Sequence, residues 1–344
     1  MKKLKIFETF AGYGGGSFAL KKAEIPFECV GYSEISPLPI KCYDQNHPNI
    51  KNYGDISKID FKDIPNFDLL TGGFPCQDVS FNGKQDLKKG RTVLVFNLID
   101  CLKVKKPKYF LFENVSGIYS NKFKDFLIDV VLQFADCGYN VYHTMLNSSQ
   151  FGVKQNRDRV WFVGIRKDIQ FKFRFPEPTH PKINLITVDG KNGMCKNKKQ
   201  QLDRVYLLSS GISCLTHSFS KRMVFDGEKT RELTKEEYCK FMGFEDGEID
   251  VSDLSTNQVS SLMGNGWDVN LVSKIFKNLL ENWENHTQAN PTDLSFNKDL
   301  TEFNKLNSQM TLNSVTSLNP DIIRNPATQD LKLETSTEGK NDNT

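Results

Sequence analysis

Over the first 166 residues, short runs dense in β-branched and aromatic residues alternate with longer stretches of mixed polarity. Lys3–Phe10, Glu28–Glu34, Phe67–Gly73 and Tyr109–Val115 read as strands, with helix-length segments near 15–24, 36–46 and 92–105 between them. This order predicts an α/β fold with a parallel sheet and helices on both faces. Two further runs, Tyr139–Leu146 and Arg159–Arg166, are joined by a loop and are expected to pair antiparallel. The prediction is a doubly wound sheet with a hairpin at one edge.

From about residue 171 the pattern changes. Pro176, Pro178 and Pro181 interrupt the chain, and little periodicity follows. Helical signals return at Thr234–Met242, where Thr234-Lys235-Glu236-Glu237 offers a capping box. An amphipathic helix is predicted over Asp268–Trp283, with Val269, Val272, Ile275, Phe276 and Leu279 on one face. If that helix packs back on the first sheet, the intervening segment is an insertion. The expected organisation is a first domain over 1–170 completed by 258–286, a second domain and hinge over 171–257, and a tail over 287–344. Of the tail's 58 residues, 23 are Asn, Thr or Ser, which predicts disorder or weak helix.

Charge adds one feature to this outline. Residues 171–230 hold eleven Lys/Arg against five acids, whereas the tail is net negative and the remaining chain neutral. A basic segment on a neutral body suggests a polyanionic partner held at one place, although a solvated lysine-rich loop accounts equally well for the charge alone. The eight cysteines are widely spread, never as C-x-x-C, so reduced thiols are expected and neither a disulfide framework nor a zinc site is. No apolar run approaches the ~20 residues that span a bilayer, and Met1–Lys5 lacks the apolar core of a signal peptide. A cytoplasmic protein without a membrane partner is expected.

The candidate chemistry lies at the strand ends. The first strand runs into Ala11-Gly12-Tyr13-Gly14-Gly15-Gly16, a turn that lets backbone approach a ligand, or else a plain tight turn. Glu34, at the end of the second strand, could accept from a ribose diol, and Asp55 follows in Gly54-Asp55-Ile56. Ser17 stands where G-x-G-x-x-G needs its third glycine, which favours a nucleoside ligand without a pyrophosphate. Cys76, in Gly72-Gly73-Phe74-Pro75-Cys76-Gln77, lies outside an apolar run and reads as a nucleophile better than as a buried structural thiol. Glu113, in Phe112-Glu113-Asn114-Val115, places a carboxyl one strand over, as proton donor or as a helix cap. In Gln155-Asn156-Arg157-Asp158-Arg159, strand alternation puts Arg157 and Arg159 on one face. They are two forks for a carboxylate, phosphate or base edge, or part of a surface ladder.

This ordered series resembles the motifs of cytosine-5 DNA methyltransferases: Phe10-x-Gly12-x-Gly14-Gly15, Gly73-Phe74-Pro75-Cys76-Gln77, Glu113-Asn114-Val115, Gln155-x-Arg157-x-Arg159, Arg231-x-Leu233-Thr234 and Gly264-Asn265. The resemblance covers roughly residues 4–284. It implies a Rossmann-like S-adenosylmethionine-dependent sheet with a smaller target-recognition domain, S-adenosylhomocysteine as product, and no metal. Phe10, Gly12 and Gly14 would line the cofactor's methionine and ribose region, Glu34 would take the ribose hydroxyls, Asp55 with Ile56 the adenine, and Asn265 would close the cofactor side. Cys76 would attack carbon 6 of a flipped-out cytosine. Glu113 would meet N3 and the exocyclic amine, ordered by Arg159 with Arg157 and Gln155. Ser80–Arg91 looks like the loop that closes over the base, giving Ser80 and Arg91 as DNA contacts. The basic segment falls where the family keeps its target recognition, with Lys196, Lys198, Lys199, Lys221 and Arg222 expected on phosphates.

The implied partner is double-stranded DNA, met by a monomeric, nucleoid-associated enzyme of a restriction-modification system whose cognate endonuclease acts separately, or by an orphan enzyme. Two departures stand out: Asp78-Val79-Ser80 replaces the common Pro-Phe-Ser, and Gly264-Asn265-Gly266-Trp267 replaces Gly-Asn-Ala/Ser-Val. Cys214-Leu215-Thr216 is close to the Cys-Phe-Thr of the tRNA-modifying branch and keeps a tRNA substrate as the first alternative. A catalytically inactive DNA-binding scaffold and a small-molecule methyltransferase are the others. Intact Cys76, Glu113 and Arg159 argue against the scaffold.

Overall fold

Leu4, Ile6 and Phe7 are fully buried, so the first strand is an interior one with both faces covered. In chain order the elements are β1 (Leu4–Thr9), α1 (Gly15–Lys22), β2 (Phe27–Ser33), α2 (Pro37–Asn46), β3 (Leu69–Gly73), α3 (Leu94–Lys105), β4 (Tyr109–Val115), α4 (Lys124–Asp136), β5 (Tyr139–Asn147), β6 (Gln155–Asn156), β7 (Asp158–Arg166), β8 (Tyr206–Leu207), β9 (Ile212–Ser213), β10 (Met223–Phe225), β11 (Thr230–Glu232), α5 (Lys235–Lys240), α6 (Thr256–Asn265) and α7 (Val269–Leu280). The computed structural model describes residues 2–74, 94–188, 204–217 and 222–286.

Six strands form the main sheet in the order β2-β1-β3-β4-β7-β5. The first four are mutually parallel, while β7 runs antiparallel to both β4 and β5. The antiparallel pair expected from the sequence is present, but β7 lies inside the sheet and β5 takes the edge. The burial explains this. Residues 160–165 of β7 are all buried, fit for two covered faces, whereas 143–146 of β5 are only half-buried. From β1 the chain moves outward to β2 and then crosses to β3 on the other side. The crevice at the carboxyl ends of β1 and β3 is therefore the topological switch point, where open α/β sheets take ligands.

Alternation along the strands divides the core. Tyr109 and Leu111 face one layer with Ala19 and Leu20 of α1 and Val272, Ile275, Phe276 and Leu279 of α7. Phe110 and Phe112 face the other, with Leu98 and Leu102 of α3 and Leu127, Val130 and Phe134 of α4. The α7 helix packs against α1. Two helices were not foreseen in the sequence, α4 and α6. The second carries a capping box, Ser255 with Gln258, that the sequence does display.

The segment beyond 171 builds small sheets, β11-β10-β8 and the parallel pair β6–β9. Its Tyr206, Ile212, Leu215, Val224 and Tyr238 join the same apolar layer as α1 and α7, so it is packed continuously onto the main sheet. Through β6–β9, Gln155 lies beside Ile212 and Asn156 beside Ser213. Among the described residues, no helix is long and apolar enough to cross a membrane. The six described cysteines are free thiols.

Candidate active site

A cleft enclosing about 410 Å³ opens at the carboxyl ends of β1 and β3, within the usual range of a small-molecule site. Thr9, Phe10, Gly12, Tyr13 and the first residues of α1 form one side, Thr71–Gly73 the floor, and Glu113 with Asn265–Trp267 the far wall. Phe10 and Gly12 both hold positive φ, +50° and +58°, and nothing lies within 4 Å of where a Gly12 side chain would begin. The backbone there is reachable by a ligand. Gly14 does not line the cleft. A Cβ on it would strike His47 Nε2, so this glycine serves the entry of α1 against α2.

Glu34 is placed by the backbone around it: its carboxylate accepts from the amides of Gly12 at 3.1 Å, Ile35 at 2.9 Å and Ser36 at 3.0 Å. Asn52, which sequence reasoning missed, staples this strand end to the next loop, donating to Glu34 O while its Oδ1 accepts from Gly54 N. Asp55 in that loop caps a short turn through Ser57, whose amide and hydroxyl hold its carboxyl below the usual range. The Ile56 side chain is buried in the core (3% exposed), so the expectation of a cofactor contact by that side chain is corrected.

Glu113 stands opposite Gly73 in the β3–β4 register. A Cβ at Gly73 would lie 3.0 Å from Glu113 Oε2 and 3.3 Å from Trp267 Nε1, so glycine is what lets carboxylate and indole approach the floor. Arg159 reaches Glu113 from β7, Nε to Oε1 at 2.7 Å, and donates Nη1 to its neighbour Asp158 O at 2.8 Å and Nη2 toward Cys214 Sγ at 3.7 Å. Trp267 crosses Trp161 edge-on at 5.2 Å. Asn265 is exposed on the rim, its amide 2.9 Å from His217 Nδ1.

Three expected ligand contacts are instead internal struts. Arg157 is buried (3% exposed) and donates to Leu215 O at 3.0 Å, Gly264 O at 3.2 Å and Gly266 O at 2.8 Å. Gln155 is fully buried, donating to Phe241 O and accepting from Leu215 N at 2.8 Å. These two side chains tie the second unit and the α6–α7 turn to β7. Arg222, expected on phosphate, is also buried; it donates to Cys214 O at 3.1 Å and lies over the Tyr206 ring. Alternation gave Arg157 and Arg159 a common face but could not say which was turned to the cleft. Cys76, Ser80, Arg91, Lys196, Lys198, Lys199, Lys221 and the 287–344 tail lie outside the described residues. Among the described residues no group of three or more His, Cys, Asp or Glu is arranged to hold a metal ion.

Comparison with known proteins gives a consistent result. The family described as C-5 cytosine-specific DNA methylase matches residues 4–210. An orphan methyltransferase of Bacillus phage rho11s, M.Rho11sI, is 41% identical over 172 residues, covering 49% of this chain. That match spans only 34% of the phage protein's own length. The type II methyltransferase M.NlaX of Neisseria lactamica is 32% identical over 281 residues, covering 72% of this chain and 88% of that protein. Among solved structures, a DNMT2 variant of Spodoptera frugiperda superposes with a TM-score of 0.64 at 22% identity, over 81% of this chain and all of that one. At that identity the likeness speaks for the Rossmann-like fold.

Proposed function

Because the chain belongs to the C-5 cytosine-specific DNA methylase family, we propose that it transfers a methyl group from S-adenosylmethionine to carbon 5 of cytosine in double-stranded DNA, at a specific sequence. The observation that carries this reading is the Glu113 carboxylate, fixed by Arg159 at 2.7 Å and turned toward a cleft floored by glycine.

The residues around the cleft suit an adenosine-type ligand. Gly12 leaves backbone open, and Glu34 is already oriented by three amides, so its remaining lone pairs can accept from a ribose diol. Asp55, brought beside Glu34 through Asn52, would take the adenine amine, and Trp267 and Asn265 would bound the methionine side. When bound, S-adenosylmethionine supplies an electrophilic methyl group on its sulfonium.

Cytosine carbon 5 is too weak a nucleophile to take that methyl unaided. In the proposed sequence the Cys76 thiolate adds to carbon 6, forming an S–C bond and moving the ring electrons toward carbon 5. Glu113 meets N3 and the exocyclic amine and offsets the charge that gathers there. Carbon 5 then takes the methyl group as the sulfonium–methyl bond breaks. Loss of the carbon 5 proton expels Cys76 and leaves 5-methylcytosine. A stacked base hides these atoms, so the cytosine is extruded first, at a cost of a few kcal/mol. The 171–257 unit reads the flanking duplex, and a restriction-modification setting or an orphan role agrees with the names of the relatives.

The test is methyl transfer by the purified protein to unmethylated genomic DNA, read by bisulfite sequencing. Protected cytosines in one repeated context are expected. A protein that binds the cofactor yet protects none overturns the DNA reading, and transfer to tRNA would replace it.

A further inference from the structure

We infer that Cys214 serves as an anion between Arg157 and Arg159, a positioning residue that fixes the Arg159 guanidinium on Glu113. The inference rests on the methyl-transfer reading above and adds a second cysteine to its machinery, distinct from the nucleophile.

Geometry carries it. Arg157 Nη1 lies 3.4 Å from Cys214 Sγ and Arg159 Nη2 lies 3.7 Å from it. All three nitrogens of Arg159 are thereby engaged, Nε on Glu113, Nη1 on Asp158 O and Nη2 on Cys214, which sets the plane of the fork. A third guanidinium, Arg222, approaches the same residue through its carbonyl at 3.1 Å, with Tyr206 and Tyr238 beside it. The carboxylates facing this group are Glu113, on Arg159, and Asp268, behind Arg157 along with Tyr13. Lys182 is paired to Asp158 at 3.3 Å on the outer side.

Three cations thus converge against two carboxylates in a poorly hydrated place, and a neutral thiol would leave positive charge uncompensated there. A thiolate evens the count. Thiols beside arginines ionise readily. Burial pushes the Cys214 thiol up, but Arg157 and Arg159 pull it down further, leaving it below the ordinary thiol value. The contact forms only because β6–β9 pairing seats the 212–214 segment beside Arg157 and Arg159, so no local motif announces it.

The test compares two substitutions of similar size, Cys214→Ser (neutral) and Cys214→Asp (anionic). Cys214→Ser should lower kcat about tenfold with KM for DNA nearly unchanged, and Cys214→Asp should restore most of the rate. The wild-type rate should fall with acidification as the thiolate takes a proton, and in Cys214→Asp that limb should move to lower pH. Full activity in Cys214→Ser with loss in Cys214→Asp would mean that the thiol only packs, and would overturn the inference. Independently of any activity, the ultraviolet difference titration of wild type against Cys214→Ser should show a thiolate band at neutral pH. Its absence until alkaline pH overturns the inference even if methyl transfer is found, whereas a band without methyl transfer to DNA overturns only the DNA reading.

Discussion

Arg159 meets Glu113 across the β4–β7 pair, Nε to Oε1 at 2.7 Å, with neither side chain more than 14% exposed. The register explains the contact. Val115 is the direct antiparallel partner of Arg159, so Glu113, two residues earlier on β4, is its diagonal neighbour on the same face. The carboxylate is thereby oriented from a rigid sheet and not from a loop.

Arg159→Lys keeps the charge but replaces a planar fork with a single point. Methyl transfer in a single turnover is expected to fall by about a hundredfold, with DNA binding largely kept. A rate within about threefold of wild type would show that Arg159 holds the sheet together and does not orient Glu113.

Gly73→Ala probes the floor of the cleft. The added methyl would sit 3.0 Å from Glu113 Oε2 and 3.3 Å from Trp267 Nε1, so both side chains must give by a few tenths of an ångström. A displacement on that scale at a reacting carboxylate is expected to cost about tenfold in rate, with little change in melting temperature. Calorimetry and a rate assay on the same preparation would check this. A large loss of stability with unchanged rate per folded molecule would move Gly73 from the site to the core.

The parallel strands were legible because burial on both faces leaves continuous apolar runs, and the strand ends exposed Glu34, Cys76 and Glu113 as chemistry out of place in such runs. The α4 helix was not. Its apolar residues include Ile128 and Leu132, which are 47% and 56% exposed, and they blur the one-sided stripe that marks a surface helix. Arg157, Gln155 and Arg222 failed for a different reason. Alternation reports which face a side chain takes, but their partners are backbone carbonyls supplied by turns far away in sequence, such as Gly264 and Gly266 for Arg157. Asn52 and Cys214 likewise gain meaning only once the chain has closed.

Arg157→Leu tests that strut directly. Three backbone carbonyls would lose their donor, those of Leu215, Gly264 and Gly266. Leaving buried acceptors unpaired is expected to destabilise the protein by about 3–5 kcal/mol. Chemical denaturation should register this as an earlier midpoint, together with weaker cofactor binding, because Gly266 and Trp267 line the cleft. A midpoint unchanged from wild type would remove the strut role.

Asp268 caps α7, its Oδ1 accepting from the amides of Asn270 at 2.9 Å and Leu271 at 3.2 Å. Burial pushes its carboxyl up to about 6, an effect only partly offset by Ser148, those amides and Arg157. In the unfolded chain an aspartate titrates near about 4. Between those two values the folded state binds the extra proton, so this residue's contribution to stability is complete below about pH 4 and is lost as pH rises through about 6. Two pH units correspond to roughly 3 kcal/mol. Asp268→Asn retains an acceptor for the cap but does not titrate. Urea melts over that range should show the stability of wild type falling relative to Asp268→Asn as pH rises, then levelling off above about 6. A difference that stays flat, or that runs the other way, would mean that Asp268 is held as a carboxylate by Arg157 and that burial does not dominate its titration.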